Sequence, residues 1–466
     1  MPIALIVHAT TFWGHGIIDS EAMEFVLNYL QRRPFFAQIF DPQINDWGAY
    51  QARELSYVFD WVDARTFAAL LDRQLLIFIP LSGVLGLVAL GAVYFWGARK
   101  VFGLNAGMVA LLLSLFLSCI VVQASTPILY RSSKIILCIA LLGFLFYLSA
   151  LLKVDKREVT LSKRAVLFCL GLIMAICDRQ GFYYLVSATV IILMLWVLAK
   201  LRKESRCRAC PRALSATFAA ILATIFYNRV FTPSIVHTLN GYWPDFAYQN
   251  LPWSKLFDPA LPGKAFHIFA DQVSFFFGNI PFVAIVLVAV LATFWKRRGL
   301  FKIDNLALVA ASLVSIFAVL GLLVAMIARH PAVYSVRDHE FWYYTLTLHV
   351  VFLFGVTSWL SLVHPDRRAR ISPPLYIAIA ILIALNVINY QRQRELMIHS
   401  TGWFDVQYAH SQELLQQFRT DPPRREKIQS TTSDLFLDDQ ARFLENVERS
   451  YLHLIGAIRT ERPPRQ

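Results

Sequence analysis

Ten long apolar runs alternate with connections whose lysines and arginines fall almost entirely on every second one, and that alternation limits the folds open to this chain more than any other feature. A helix needs about 20 apolar residues to cross a bilayer core, and most of the runs are close to that length. They cover 75–97, 104–123, 134–152, 164–177, 181–199, 213–230, 276–294, 305–328, 342–362 and 374–389. The fourth is short, and only Asp178, Arg179, Gln180 and Gly181 separate it from the fifth. The two read as shortened or tilted spans.

Basic residues sort the connections into two sets. One set holds Arg99 and Lys100, the group from Lys153 to Arg164, the group from Lys200 to Arg212, Lys296 to Lys302, and Arg367, Arg368 and Arg370. The other holds only Arg131, Arg179, Lys255, Lys264, Arg329 and Arg337 over a greater total length. Cytoplasmic loops carry the excess of Lys and Arg, which puts 1–74, 231–275, 329–341 and the tail after 390 on the extracytoplasmic side. A chain of 466 residues that is 57% hydrophobic and only 16% charged does not describe a soluble domain. Its net charge of +13 sits mostly in short loops beside the spans. Membrane lipids with anionic headgroups are the natural partners there, and nucleic acid is not expected.

The expected fold is therefore an all-α polytopic membrane protein in three regions. Residues 2–13 (PIALIVHATTFW) are too short to span and lack the basic start of a signal peptide. They read as the outer half of a first transmembrane helix, which brings the bundle to about 10–11 transmembrane helices. Region 1–74 combines this partial helix with a long extracytoplasmic loop, 75–389 is the bundle, and 390–466 is a small extracytoplasmic helical appendage that needs the bundle for stability. Cys119, Cys138, Cys169 and Cys177 lie in apolar runs, and Cys207 with Cys210 forms a lone CxxC in a basic loop. No disulfide framework follows, and zinc would want a second Cys/His pair nearby. The absence of any N-x-[ST] acceptor favours a bacterial cytoplasmic (inner) membrane.

The first outer loop is the most informative polar segment. Ala22–Gln31 places Met23, Val26, Leu27 and Leu30 at helical spacing behind Asp19 and Ser20 as cap candidates, and Arg32, Arg33 and Pro34 follow. Gly48–Val62 reads as a second amphipathic helix, with Asn45 and Asp46 before it and Tyr50, Leu55, Tyr57, Val58, Phe59, Trp61 and Val62 within it. Aromatic side chains of this kind suit the headgroup level.

Asp19-Ser20-Glu21 heading an amphipathic helix that ends in Arg-Arg-Pro resembles the start of the GT-C integral-membrane glycosyltransferases, including family 39 protein mannosyltransferase and aminoarabinose transferase relatives. Segment 98–152 is similar to the stretch where, in those enzymes, a basic-Phe-Gly turn enters a span that leaves at a small, polar, Pro-containing loop. The likeness covers about the first 200 residues of this sequence. It implies a GT-C-like bundle with an extracytoplasmic active face, a polyprenyl-phosphate sugar donor, an extracytoplasmic lipid, glycan or protein acceptor, and a carboxylate base in the first outer loop. The loop from Ser125 to Lys134 lacks a second D-x-D. The mechanism expected is therefore an inverting one with no cofactor and no resident metal, although a divalent ion stays open.

Glycosyl transfer to a hydroxyl needs a carboxylate to take the acceptor proton and cations to stabilise a departing phosphate. Asp19 is the favoured base, with Glu21 or Asp46 as substitutes; a plain helix cap is the competing reading of Asp19 and of Asp46. Tyr50, Arg53 and Glu54 belong to the same loop, where ordinary interfacial charge is the alternative, and Asp60 and Asp63 read as a solvated helix face. Arg131 and Lys134 sit at a helix mouth, where they either bind donor phosphate or snorkel to headgroups. Asp178 and Arg179 are costly at membrane depth, so they either pair with one another or reach an outer cleft. Arg329, His330, Arg337 and His339 lie in RHPAVYSVRDHEFWYY, which reads as a lid over a lipid-linked sugar or as an interfacial belt. Two other classes compete: a lipid-linked saccharide transporter or flippase, and a noncatalytic partner in envelope-glycan assembly. A transporter wants charge along a path through the bilayer, whereas a transferase wants it gathered in one cleft.

Overall fold

The computed structural model describes residues 1–12, 29, 34–40, 53–72, 81–125, 132–153, 159–201, 209–244, 258–260, 262–263, 267, 346–363 and 376–389. Every regular element among them is helical. In chain order these are α1 (Pro2–Phe12), α2 (Phe35–Ile39), α3 (Glu54–Asp72), α4 (Leu81–Phe102), α5 (Ala106–Leu117), α6 (Ile120–Ser125), α7 (Ser132–Leu152), α8 (Leu161–Cys177), α9 (Arg179–Leu201), α10 (Cys210–Phe226), a π-helical turn (Tyr227–Phe231), α11 (Thr232–Asn240) and α12 (Leu346–Val363). A further helix, α13, covers Tyr376–Asn389. Among the described residues, four stretches are long and apolar enough to cross a membrane: Leu81–Phe102, Lys134–Leu152, Arg179–Leu201 and Cys210–Asn240.

Local chemistry fixes the ends. Gly103 closes α4 at φ 72°, a left-handed value that an L side chain rarely adopts, and Arg99 and Lys100 complement the negative end of the helix dipole in the last turn. Asn105 then caps α5 by accepting from the Met108 N–H at 2.8 Å, and its side-chain amide reaches the Tyr376 hydroxyl at 2.8 Å. Thr160 starts α8 in the same manner, accepting from the Lys163 N–H at 3.4 Å.

Helices α4 and α7 approach closely because two glycines of α4 face large side chains of α7. A methyl group at Gly86 would overlap Ile135, and one at Gly97 would overlap the Phe146 ring. Phe102, Phe146 and Phe354 pack together where α4, α7 and α12 meet, with centroids 5.3–5.7 Å apart. The buried Tyr94 hydroxyl meets Thr357 Oγ1 at 2.6 Å, and Thr357 in turn donates to the Leu353 carbonyl, so Tyr94 is the donor of the pair. Helices α8, α9 and α10 pack on one another beside this group, with Gly171 enclosed by Leu185 and Ala220.

Three sequence expectations need correction. The run at 104–123 is broken at Ser118 and Cys119 rather than continuous. Gln123 Nε2 satisfies the Leu117 carbonyl at the break, at 2.6 Å, and reaches the Leu5 carbonyl of α1 at 3.1 Å, while Asn386 of α13 donates to the Ser118 side-chain oxygen at 2.9 Å. The run at 213–230 extends without interruption over 210–240, or about 46 Å at 1.5 Å per residue, well beyond a core of about 30 Å. Cys210 is disulfide-bonded, with its partner outside the described residues, whereas Cys119, Cys138, Cys169 and Cys177 are free thiols.

The extra length of α10–α11 depends on the π turn. A π turn accommodates one residue more than an α turn, and it sits immediately before Pro233, whose ring would crowd the preceding carbonyls. It also sets the phase of the buried stripe. Ala213, Ala216, Thr217, Ala220 and Thr224 are buried along α10, and Thr232, Val236 and Asn240 line the side of α11 that meets α2. Eight residues from Thr224 to Thr232 would leave those stripes about 80° apart at 100° per residue, and the added residue brings them back into line. Asn240 of that stripe donates to the Phe40 carbonyl at 3.0 Å and the Ala37 carbonyl at 3.3 Å, holding the end of α2.

Candidate functional site

Charge gathers where α3 meets the ends of α7, α8 and α9. Asp178, between α8 and α9, has an extended backbone (φ −159°, ψ 150°) that breaks the helical run and turns its carboxylate back on the start of α9. Oδ1 accepts from the Gln180 N–H at 3.0 Å, the capping interaction that an aspartate at a helix start makes. Oδ2 accepts from Lys134 Nζ of α7 at 2.6 Å, and Arg53 Nη1, just before α3, lies 3.9 Å from the same oxygen. Side-chain exposure is 2% for Lys134, 4% for Asp178 and 14% for Arg53. A pair this far from water is sustained by its hydrogen bonds as well as by its charge.

Next to this pair the Tyr227 hydroxyl, from the π turn, donates to Glu54 Oε2 at 2.9 Å. Arg53 stacks over the Tyr57 ring at 5.8 Å. On the other flank the Tyr184 hydroxyl donates to Thr347 Oγ1 at 3.0 Å, and Thr347 donates to Gln180 Oε1 at 3.3 Å. Residues from α3, α7, α8–α9, the π turn and α12 thus form one polar layer at a single end of the bundle.

Of the sequence candidates, Arg53, Glu54, Lys134 and Asp178 come together here. Arg179 is half-buried at the first position of α9; the aspartate beside it pairs with Lys134 instead. Asp19, Glu21, Asp46, Tyr50, Arg131, Arg329, His330, Arg337 and His339 lie outside the described residues, as do the runs 276–294 and 305–328 and the tail after 390. Tyr227, Gln180, Tyr184 and Thr347 were not anticipated. Their signal in the sequence is a polar side chain at the end of an apolar run, at the same end of the bundle as Asp178.

The solvated face expected for α3 is also corrected, because Asp60 and Asp63 are buried. They share a helical face with Tyr57 and Ala64, which docks inward and carries the carboxylates with it. Asp63 caps α4 from a distance: Oδ1 accepts from the Ser82 N–H at 2.8 Å and Oδ2 from the Ser82 hydroxyl. Burial pushes the Asp63 carboxyl up to about 6, and the hydrogen bonds from Ser82 and the Leu81 backbone oppose the rise. The folded protein therefore holds this proton more tightly than the unfolded chain. The stability contributed is complete below about pH 4 and is lost as pH rises through about 6, with a span of about 3 kcal/mol. Asp63→Asn keeps an acceptor for the Ser82 N–H and should abolish the dependence. Thermal unfolding in detergent between pH 4 and 7 checks this, and parallel pH profiles for the two proteins would refute it.

Among the described residues no group of three or more His, Cys, Asp or Glu side chains could hold a metal ion. The arrangement gathers two cations, Arg53 and Lys134, around Asp178 Oδ2, with Glu54 held by Tyr227 beside them. No protein-family model, curated protein or solved structure matches the chain.

Proposed function

We propose that the chain is a polytopic membrane glycosyltransferase of GT-C type, moving a sugar from a polyprenyl-phosphate donor to an extracytoplasmic acceptor without a resident metal. The observation that carries the reading is convergence. Every buried Asp, Glu or Lys among the described residues lies on α3 or at the adjoining ends of α7 and α8–α9. By the distribution of loop charge this is the extracytoplasmic end. A transport path would distribute such groups along the bundle.

In the reaction, a first-loop carboxylate takes the proton from the acceptor hydroxyl as its oxygen attacks the anomeric carbon. The bond from that carbon to the phosphate oxygen breaks, and polyprenyl phosphate leaves with the electron pair. Asp19 is the proposed base, with Glu21 or Asp46 as substitutes. Arg53 and Lys134, with Arg131, Arg179, Arg329 and Arg337, are the proposed phosphate contacts, because guanidinium and ammonium groups make charge-assisted bonds to phosphate. Tyr50, His330 and His339 are proposed to border the sugar.

Purified protein incubated with labelled polyprenyl-phosphate monosaccharides and an envelope acceptor fraction should give transfer or slow donor hydrolysis. Asp19→Asn should lower the rate by about 100-fold or more. Absence of turnover with every donor, in protein that unfolds cooperatively, would favour a lipid-linked saccharide transporter or an assembly partner instead.

A further inference from the structure

The CxxC motif lies at the end of the bundle opposite the polar layer, where α10 begins its run towards Tyr227. The chain has six cysteines, and Cys119, Cys138, Cys169 and Cys177 are free thiols. Cys210 is disulfide-bonded, so within the chain only Cys207 is left to be its partner. The motif follows Lys200, Arg202, Lys203 and Arg206, in the connection that the distribution of charge puts on the cytoplasmic side. Thiols are kept reduced in that compartment, and the disulfides that do occur there are usually transient, catalytic or redox-sensing. We propose that Cys207 and Cys210 are a redox site on the cytoplasmic face, closed as a disulfide and opened by exchange with a cytoplasmic protein dithiol. Neither assignment depends on glycosyl transfer.

The start of α10 is held by contacts other than the bridge. Ala209, Cys210 and Ala213 are buried, and Arg212 Nη1 donates to the Val159 carbonyl, just before α8, at 2.8 Å. Pro211 sets the backbone of the first turn. The bridge itself closes a loop with only two residues between its ends, which restrains the unfolded chain less than a longer loop would. Opening it therefore leaves the packing of α10 on α8 and α9 in place. Burial of Cys210 also directs the exchange towards Cys207. A thiolate of the reductant attacks the Cys207 sulfur, the bond between the two cysteines breaks, and the electron pair leaves on Cys210. That charge forms at the positive end of α10, which has no side-chain cap, and then takes a proton from water. The second thiolate of the reductant attacks the reductant sulfur of the mixed disulfide, Cys207 is expelled and protonated, and the reductant departs as a disulfide. Two electrons have then passed to the pair. The reverse exchange, with a disulfide as oxidant, closes it again.

The test uses the full chain in membrane vesicles, quenched with acid, unfolded in detergent and labelled with a polymer-bearing maleimide that shifts the band once per free thiol. Vesicles prepared in air should give four shifts, and Cys207→Ser and Cys210→Ser should each give one more. Thioredoxin kept reduced by its reductase and NADPH should raise the count to six in inside-out vesicles and leave right-side-out vesicles at four, because the reductant does not cross the membrane. Cells quenched during growth should show six shifts, and a brief pulse of diamide should lower them to four. Reduced protein should still unfold cooperatively. Six shifts in air-prepared vesicles, or in cells with and without diamide, would overturn the site by showing no disulfide. Four shifts that persist in both vesicle orientations, or loss of cooperative unfolding on reduction, would make the bridge a structural staple instead. Conversion in right-side-out vesicles alone would put the motif on the other face and overturn the cytoplasmic exchange.

Discussion

Asp178→Leu should destabilise the protein by about 3–5 kcal/mol, the cost of removing one partner from a buried ion pair. Lys134 has only 2% of its side chain exposed, so its charge is held away from water chiefly by the bond to Asp178. Lys134→Met should cost a comparable amount, because Asp178 would then depend on Arg53 at 3.9 Å and on one backbone N–H. The double variant removes both charges and should recover most of the loss, falling short of wild type by about 1 kcal/mol for the missing cap on α9. Thermal unfolding of the four proteins in one detergent forms a double-mutant cycle. Additive effects would show that the 2.6 Å contact contributes no coupling, and the account of this end of the bundle would then be wrong.

Gly181→Ala should be at least as severe. An added Cβ at this position would overlap the Met174 carbonyl oxygen, which is backbone and cannot rotate away. The tight passage from α8 through extended Asp178 into α9 depends on that approach, so the substitution should push the helices apart and disturb the Asp178 bonds. We expect a loss of about 3 kcal/mol or more. Gly143→Ala is the matched control: its Cβ would meet Leu170 at 3.7 Å, an ordinary contact, and it should be close to neutral. Comparable melting temperatures for the two variants would contradict this reading of the α8–α9 junction.

Among the described residues the apolar helices were legible because run length and apolar content decide them, whereas the amphipathic helix expected at Gly48–Val62 runs over Glu54–Asp72 instead. Runs 134–152, 164–177 and 181–199 correspond to α7, α8 and α9 within a few residues. Helix ends were less legible where a polar side chain changes the backbone accounting. Gln123 and Asn386 stabilise a break that no Gly or Pro announces, and a π turn carries a helix through Pro233. Within the site, Lys134 and Asp178 were recognisable singly as charges at the ends of apolar runs. Their pairing was not, because 44 residues separate them and Arg179 stands next to Asp178 in sequence. The carboxylate instead accepts from the Gln180 N–H on Oδ1 and from Lys134 on Oδ2. Burial of Asp60 and Asp63 was illegible for a related reason: an amphipathic pattern shows that a helix has two faces, but only docking shows which side carries its acids inward.

The π turn at Tyr227–Phe231 also governs how this chain can be compared with others. A helix that lacks the added residue but keeps the same two buried stripes corresponds to this one only across a one-residue gap between Thr224 and Thr232. An ungapped alignment would set Asn240 and its α2-facing neighbours against positions turned by about 100°, and it would assign the hold on the first loop to the wrong side chains.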